Sequence, residues 1–246
     1  MKKLLRKILL ILGAIIILII LFFLYYGIRG NSARKKMTPA VTSQITDDVF
    51  AVKDKYVNMY LIRDGDNFIA VDAGITKGNV KDELKKLDID PYKVKAVFLT
   101  HSDGDHVGGL KLFNKADVYL PEEEEQVING ETGRFLWFGN KIDAKDYKLV
   151  DDDIIKIGDI KIHPVPTPGH TPGSTCYQIN DKYLFTGDAL RLYNGSIVLF
   201  PKFINKSARR ARKSVSNITD LDDVQYIFSA HYGYTGDYKA AVSHWK

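Results

Sequence analysis

The most informative stretch of this sequence reads Thr100-His101-Ser102-Asp103-Gly104-Asp105-His106-Val107-Gly108-Gly109 and follows a mostly apolar run over residues 94–99. Four potential metal ligands thus lie close together at the end of a predicted strand. An extended backbone points alternate side chains the same way, so His101 and Asp103 are expected to face one site. Two imidazoles and two carboxylates this close would suffer desolvation and repulsion without a cation between them. The stretch therefore predicts a metal site, where Gly108 and Gly109 would keep bulk away from the metal.

Three further segments each place a candidate ligand just beyond a strand or in a turn. They read Thr167-Pro168-Gly169-His170-Thr171-Pro172-Gly173, Tyr183-Leu184-Phe185-Thr186-Gly187-Asp188 and Val224-Gln225-Tyr226-Ile227-Phe228-Ser229-Ala230-His231. The first is a stiff turn, because proline fixes φ and glycine permits sharp reversals. The other two are apolar strands that end in a carboxylate and in a histidine. Loops gather at the edge of a sheet and carry function, so we expect one shared site.

On these motifs the chain resembles the metallo-β-lactamase-fold hydrolases over roughly residues 47–236, particularly their glyoxalase II-like branch. The family's first motif is written H-x-H-x-D-H before a glycine pair, and here it reads His101-x-Asp103-x-Asp105-His106. The last motif, normally Gly-His-Gly, is Ala230-His231-Tyr232-Gly233. The resemblance implies an α/β fold, the four-layer αββα metallo-β-lactamase sandwich, and a coarse pattern of strands and helices along the chain agrees with it.

The resemblance also implies two divalent metal ions. The implied ligands form two groups with one bridge: His101, Asp103 and His170 for the first metal, Asp105, His106 and His231 for the second, and Asp188 between them. Zinc is the metal that the family resemblance favours. A hard carboxylate oxygen at Asp103, where the family has an imidazole, shifts the first site towards manganese or iron.

Such a ligand set predicts hydrolysis. A bound divalent metal lowers the pKa of its water towards neutrality and polarises the bond under attack. Asp105 is the predicted catalytic residue, because it can orient the resulting hydroxide and accept its proton. We expect a metal-dependent hydrolase for a small-molecule ester, thioester or lactone.

Two other function classes stay open. The variant first motif is also similar to that of the lactamase-like domain in DNA-uptake channel proteins, so a phosphodiesterase or nuclease with the same metals is the first alternative. A non-catalytic, anchored metal-binding protein is the second, and the near-complete ligand set disfavours it.

The N-terminal segment has a different character. Residues 8–28 contain no charged side chain, and a helix rising about 1.5 Å per residue would span a hydrocarbon core of about 30 Å there. No clear small-x-small cleavage site follows. We therefore expect an N-terminal transmembrane signal anchor over residues 1–29, a polar tether over 30–46 and the hydrolase domain over 47–246. Basic residues flank both ends of the anchor, but the short N-terminal tail predicts a single-pass protein with an extracytoplasmic catalytic domain.

The formal net charge of +5 does not indicate nucleic acid as a partner. Residues 1–36 hold eight of the 35 Lys and Arg residues and none of the 30 Asp and Glu residues, so the remainder has 27 basic against 30 acidic side chains, or −3. One basic cluster remains outside the anchor: Lys202, Lys206, Arg209, Arg210, Arg212 and Lys213. It is interpreted either as a solvated helix face or as a contact for an anionic substrate or the bilayer surface.

Overall fold

The N-terminal unit is one long helix. The computed structural model describes residues 2–245, which divide into two compact units between Met37 and Thr38. The first unit is formed by α1 (Lys2–Arg34), a helix of 33 residues with no buried side chain. By length and composition this helix is apolar enough to cross a membrane, as predicted.

The second unit is built on two main sheets. The strands of the first are β1 (Ser43–Gln44), β2 (Val49–Asp54), β3 (Val57–Asp64), β4 (Asn67–Val71), β5 (Val94–Phe98), β6 (Asp117–Pro121) and β7 (Lys148–Val150), which neighbour one another in chain order. Those of the second are β8 (Ile155–Ile157), β9 (Ile160–Pro166), β10 (Thr175–Ile179), β11 (Tyr183–Phe185), β14 (Tyr226–Phe228) and β15 (Tyr234–Thr235). Their spatial order is β15-β14-β11-β10-β9-β8. A separate hairpin pairs β12 (Arg191–Tyr193) with β13 (Ser196–Val198).

Short helices cover both outer faces. They are α2 (Lys77–Lys86), α3 (Gly104–Val107), α4 (Glu125–Ile128), α5 (Ala208–Ser214), α6 (Ser216–Thr219) and α7 (Tyr238–Val242). Single 3₁₀ turns occur at Pro91–Lys93, Leu110–Phe113, Glu122–Glu124 and Ser243–Trp245.

Three apolar cores separate four layers. Along β2 the buried side chains alternate, so that Phe50 packs towards Val80 and Leu84 of α2 while Val49 packs between the sheets. This alternation is the two-residue period of a strand whose faces are both covered. A third core joins the second sheet to α6 and α7. The predicted αββα sandwich is confirmed.

The structure draws different boundaries from those predicted at residues 29 and 46. The helix α1 continues to Arg34, and the segment predicted as a tether is attached to the domain from Thr38 onwards. The Thr38 amide donates to the His231 carbonyl at 2.9 Å, and the Ala40 amide donates to Asn58 Oδ1 at 2.8 Å. Strand β1 then pairs with β2. These backbone bonds order a segment that has little apolar sequence of its own.

Two truncations should behave differently. A chain of residues 38–246 should fold and bind metal, because every proposed ligand and all three cores lie within it. A chain of residues 47–246 should lose about 1–3 kcal/mol of unfolding free energy, because Asn58 and the edge of β2 lose their partners. Urea unfolding of both truncated proteins, with metal content measured on each, checks this expectation. Equal stability of the two would show that residues 38–46 contribute nothing to the fold.

Candidate metal centre

All seven predicted ligands meet at one edge of the sandwich. His101 and Asp103 follow β5, and Asp105 and His106 lie in α3. The second sheet supplies the other three from the β9–β10 turn, the end of β11 and the end of β14: His170, Asp188 and His231. Ligand atoms approach within 4.8 Å of one another in three groups: His101, Asp103 and His170; His101, His106 and Asp188; and Asp105, His106 and His231.

Asp188 lies between the two predicted groups and offers one oxygen to each. Its Oδ1 atom is 3.1 Å from His231 Nε2 and 3.5 Å from His106 Nε2, whereas its Oδ2 atom is 3.4 Å from His170 Nε2. Burial raises the pKa of Asp188, but the charges of His231, His170 and His106 hold it well below its usual range. The carboxylate thus faces imidazoles of both groups at once.

The donor set fits a divalent metal. Neighbouring ligands on a tetrahedral zinc ion lie about 3.3 Å apart when each bond is about 2.0–2.1 Å. His231 Nε2 lies 3.6 Å from Asp105 Oδ2, which is close to that spacing. Within residues 2–245, buried His101 Nε2, His106 Nε2 and Asp188 Oδ1 have no hydrogen-bond partner. Buried polar atoms are almost always paired, and a cation would satisfy these three.

Hydrogen bonds to Nδ1 orient two of the imidazoles. Asp72 Oδ2 accepts from His106 Nδ1 at 2.7 Å, and the Tyr56 carbonyl accepts from His231 Nδ1 at 2.7 Å. A carboxylate or carbonyl has no proton to give, so each Nδ1 carries the hydrogen and each Nε2 is the atom that would give its lone pair to a metal. Burial lowers the pKa of His106, but Asp72, Asp188 and Asp105 raise it to about 10. The centre is therefore rich in negative charge and favours a cation.

Asp72 is a functional residue that the sequence analysis missed. It lies just after β4 with a φ of 62°, a left-handed conformation that few non-glycine residues adopt. Its Oδ1 atom accepts from the Thr100 amide at 2.8 Å, which fixes the backbone next to His101. The sequence does contain a signal for Asp72, since a carboxylate there directly follows an apolar strand.

Glu124 joins the two ligand-bearing segments. Its side chain is completely buried, whereas the neighbouring Glu122 and Glu123 are exposed. It accepts from the Ser102 amide at 2.9 Å, from Thr171 Oγ1 at 2.6 Å and from the Gly173 amide at 3.1 Å. One buried carboxylate thus holds the His101 segment against the His170 turn.

The glycine pair has a different role from the one predicted. A Cβ atom on Gly108 would collide with the Ile75 carbonyl oxygen, and one on Gly109 would collide with the Ala73 carbonyl oxygen. These glycines let α3 pack against the chain that leaves β4, rather than against a metal. They position His106 indirectly, since its carbonyl accepts from the Ala73 amide at 2.7 Å.

Arg134 reaches the first ligand group from the long segment between α4 and β7, and the sequence analysis did not identify it. Its Nε atom donates to Asp103 Oδ1 at 2.7 Å, and its Nη2 atom donates to Asp103 Oδ2 at 2.7 Å. The Nη2 atom also lies 3.0 Å from His170 Nε2. Burial raises the pKa of Asp103, but the neighbouring His101 and His170 side chains and the Arg134 charge hold it well below its usual range.

The chain is similar to known metallohydrolases. Residues 52–231 match the family model of the Metallo-beta-lactamase superfamily. The hydroxyacylglutathione hydrolase of Salmonella typhi is 29% identical over 197 residues, which are 78% of this chain and 68% of that protein. The human acyl-coenzyme A thioesterase MBLAC2 is 25% identical over 187 residues, 62% of this chain and 66% of that protein. Against the hydroxyacylglutathione hydrolase of Buchnera aphidicola, 32% identical over 150 residues, the match spans 59% of this chain but only 51% of that enzyme.

Solved structures share the fold at low sequence identity. A B3 metallo-beta-lactamase with an active-site glutamic acid superposes with a TM-score of 0.66 at 19% identity, covering 87% of this chain and 89% of that one. A subclass B3 metallo-beta-lactamase of Bradyrhizobium japonicum gives 0.62 at 20% identity, covering 79% of each chain. With the family model matching most of the chain and the metal ligands assembled at the sheet edge, this protein belongs to the metallo-β-lactamase superfamily of metal-dependent hydrolases.

Proposed function

We propose that this protein hydrolyses an ester or thioester that joins an apolar acyl group to an anionic leaving group. The observation that carries the proposal is an exposed apolar hairpin next to the metal centre. Phe135, Leu136, Trp137 and Phe138 are 42%, 45%, 74% and 60% exposed. Exposed apolar patches of this kind mark ligand or membrane contacts on soluble domains.

The hairpin is tied to the centre by its first residue. Phe135 and Phe138 form a bridge, and the Arg134 amide donates to the Phe138 carbonyl at 2.7 Å. The Arg134 side chain in turn contacts Asp103 and His170. An acyl chain lying on the hairpin would therefore have its carbonyl end beside the ligand cluster.

A basic helix begins next to His170. The Ser207 amide, at the start of α5, donates to the Gly169 carbonyl at 2.8 Å, and the Lys206 amide donates to the His170 carbonyl at 3.0 Å. Arg209 and Arg210 are exposed on this helix. A thioester with an apolar acyl chain and phosphates on its thiol part would contact both the apolar hairpin and the basic helix. One similar protein is named an acyl-coenzyme A thioesterase.

The residues of the centre have separable chemical roles. When bound, a divalent metal supplies Lewis acidity and lowers the pKa of a coordinated water. Asp105 is the proposed proton acceptor, because its side chain is 24% exposed and its oxygens face His106 and His231. Asp188 is buried between the two ligand groups, where it fixes their separation. Imidazole suits zinc, so zinc is the proposed metal at the group of Asp105, His106 and His231.

The test is a substrate panel on the metal-loaded protein. It compares acyl-coenzyme A thioesters of increasing chain length, the same acyl groups on neutral N-acetylcysteamine, lactones, a β-lactam and bis(p-nitrophenyl) phosphate. We expect kcat/KM to rise with acyl length and to fall when the anionic leaving group becomes neutral. Equal rates on long and short acyl groups would contradict the proposal.

Serine in place of Trp137 and Phe138 should raise KM for a long-chain acyl thioester by about tenfold or more, because each lost aromatic contact is worth about 1.5–3 kcal/mol when fully buried. The KM for an acetyl thioester should stay unchanged. Tyr92→Ser is the matched control, since Tyr92 is 57% exposed but precedes β5, at the end of that strand away from His101. Steady-state kinetics on both substrates separate these outcomes. An equal loss on the acetyl thioester would indicate damage to the metal centre instead.

A phosphodiesterase is the second candidate, and the basic residues of α5 next to the His170 turn favour it. Hydrolysis of bis(p-nitrophenyl) phosphate without any thioester or ester hydrolysis would establish this candidate. The apolar hairpin has no role in that activity, so the hairpin variant would then leave the rate unchanged.

We further propose that α1 anchors the protein in a membrane as a single pass, with the catalytic domain on the extracytoplasmic side. Support for the anchor comes from the uncharged run over residues 8–28. Basic residues flank this run at both ends, so their distribution does not select a side. Resistance to carbonate extraction tests the anchor, and protease digestion of intact spheroplasts tests the side. Release by carbonate, or protection of the domain from protease, would contradict the respective part.

A further inference from the structure

We propose that the Arg134 guanidinium takes the cation position of the first ligand group, so that this protein holds one divalent metal tightly rather than the two expected from its family. The tight metal belongs to the group of Asp105, His106 and His231 together with Asp188. This inference rests on the proposed metal centre and concerns how many ions it holds.

The guanidinium is bound by Asp103 in the strongest geometry available to the pair. Nε and Nη2 each donate at 2.7 Å to a different oxygen of the carboxylate, which is a bidentate, charge-assisted arrangement. Asn140 Nδ2 donates to Asp103 Oδ1 at 2.8 Å. The side chains of Arg134 and Asp103 are only 18% and 19% exposed, so water screens the pair weakly. Asp103 is thus engaged on both oxygens by protein donors.

His170 is engaged by the same nitrogen. His170 Nε2 lies 3.0 Å from Arg134 Nη2 and 3.1 Å from Asp103 Oδ2, so this nitrogen either accepts from the guanidinium or donates to the carboxylate. An imidazole nitrogen has one lone pair, which accepts a hydrogen bond or binds a metal but not both. Arginine cannot lose its proton in a protein, so a metal at this group must displace the whole guanidinium.

Charge repulsion favours the same arrangement. A divalent ion in the first group would carry the same sign of charge as the guanidinium that Asp103 already holds, so the ion can enter only if the guanidinium leaves.

The test is metal stoichiometry and affinity on the full-length protein in detergent micelles, with zinc as the probe. Wild type should bind one zinc ion tightly and any second ion at least about 100-fold more weakly, which is the fold-change for a penalty of about 3 kcal/mol. Arg134→Gln should bind two tightly, because Asp103 and His170 are freed. Arg134→Lys keeps a positive charge and should stay near one ion. Arg63→Gln is the matched control, because it removes an exposed cation that lies over Phe50 on a strand without a proposed ligand.

A second substitution locates the gained ion. Adding His170→Ala to Arg134→Gln should return the stoichiometry to one, because the first group then lacks its imidazole. Two equally tight ions in wild type would overturn the proposal, as would one ion in a folded Arg134→Gln protein. If Arg134→Gln does not fold, the ratio between the affinities of the wild-type protein for its first and second zinc ions tests the proposal by itself. Failure of every variant to bind zinc would instead contradict the metal centre itself.

Discussion

Replacing Asp188 by alanine should abolish hydrolysis and weaken metal binding by more than about 100-fold, a larger effect than the 10–100-fold typical of losing an outer hydrogen-bond partner. The reason is its position, since one carboxylate faces His106 and His231 with one oxygen and His170 with the other. Its loss also leaves three buried imidazoles without the negative charge between them. Zinc titration and kcat on the ester panel measure the two effects.

Two comparisons make the Asp188 result specific. His170→Ala should leave the tightly bound ion in place, because His170 belongs to the first ligand group. Asp117→Ala removes a carboxylate that is 57% exposed and forms an ion pair with the exposed Lys148, so the substitution should change neither the zinc affinity nor the hydrolysis rate. Unchanged zinc affinity in Asp188→Ala would remove Asp188 from the ligand set.

Replacing Glu124 by alanine should destabilise the domain by about 3 kcal/mol or more, because the partners of a buried carboxylate are left unsatisfied. Those partners are Ser102, Thr171 and Gly173, which lie on two segments far apart in sequence. The variant should keep its tightly bound zinc ion, because the group of Asp105, His106 and His231 contains neither His101 nor His170. Urea unfolding with and without zinc measures both quantities.

The neighbouring Glu122 provides the control for Glu124. It is exposed and lies in the same acidic run, so Glu122→Ala should change unfolding free energy by less than about 0.5 kcal/mol. A Glu124→Ala protein as stable as Glu122→Ala would show that the hydrogen bonds to Ser102 and Thr171 do not hold the two segments together.

The fold and the proximity of the seven predicted ligands could be predicted because short local sequence patterns determine them. Apolar strands that end in His101, Asp188 or His231 place these side chains at a sheet edge whatever the rest of the chain does. The turn around His170 is fixed by its own prolines and glycines. Such signals need only neighbouring residues, so one sequence is sufficient to recognise them.

The supporting residues were not predictable in the same way. Glu124 lies in a run of four glutamates, and only the folded chain distinguishes the buried one from its exposed neighbours. Arg134 lies in a segment without periodicity, and its partner Asp103 is 31 residues away. The role of Gly108 was misassigned because the close approach is to Ile75, which lies in a separate part of the sequence. Each case depends on a long-range contact that no local pattern encodes.

The metal centre joins the two halves of the sandwich, since His101, Asp105 and His106 come from the first sheet and His170, Asp188 and His231 from the second. A bound ion is therefore a cross-link between chain segments that are separate in the unfolded state. An ion present at 100 times its dissociation constant adds about 2.7 kcal/mol to the stability of the folded state. Cellular resistance to proteolysis, and hence the amount of protein that accumulates, should then follow the supply of the metal.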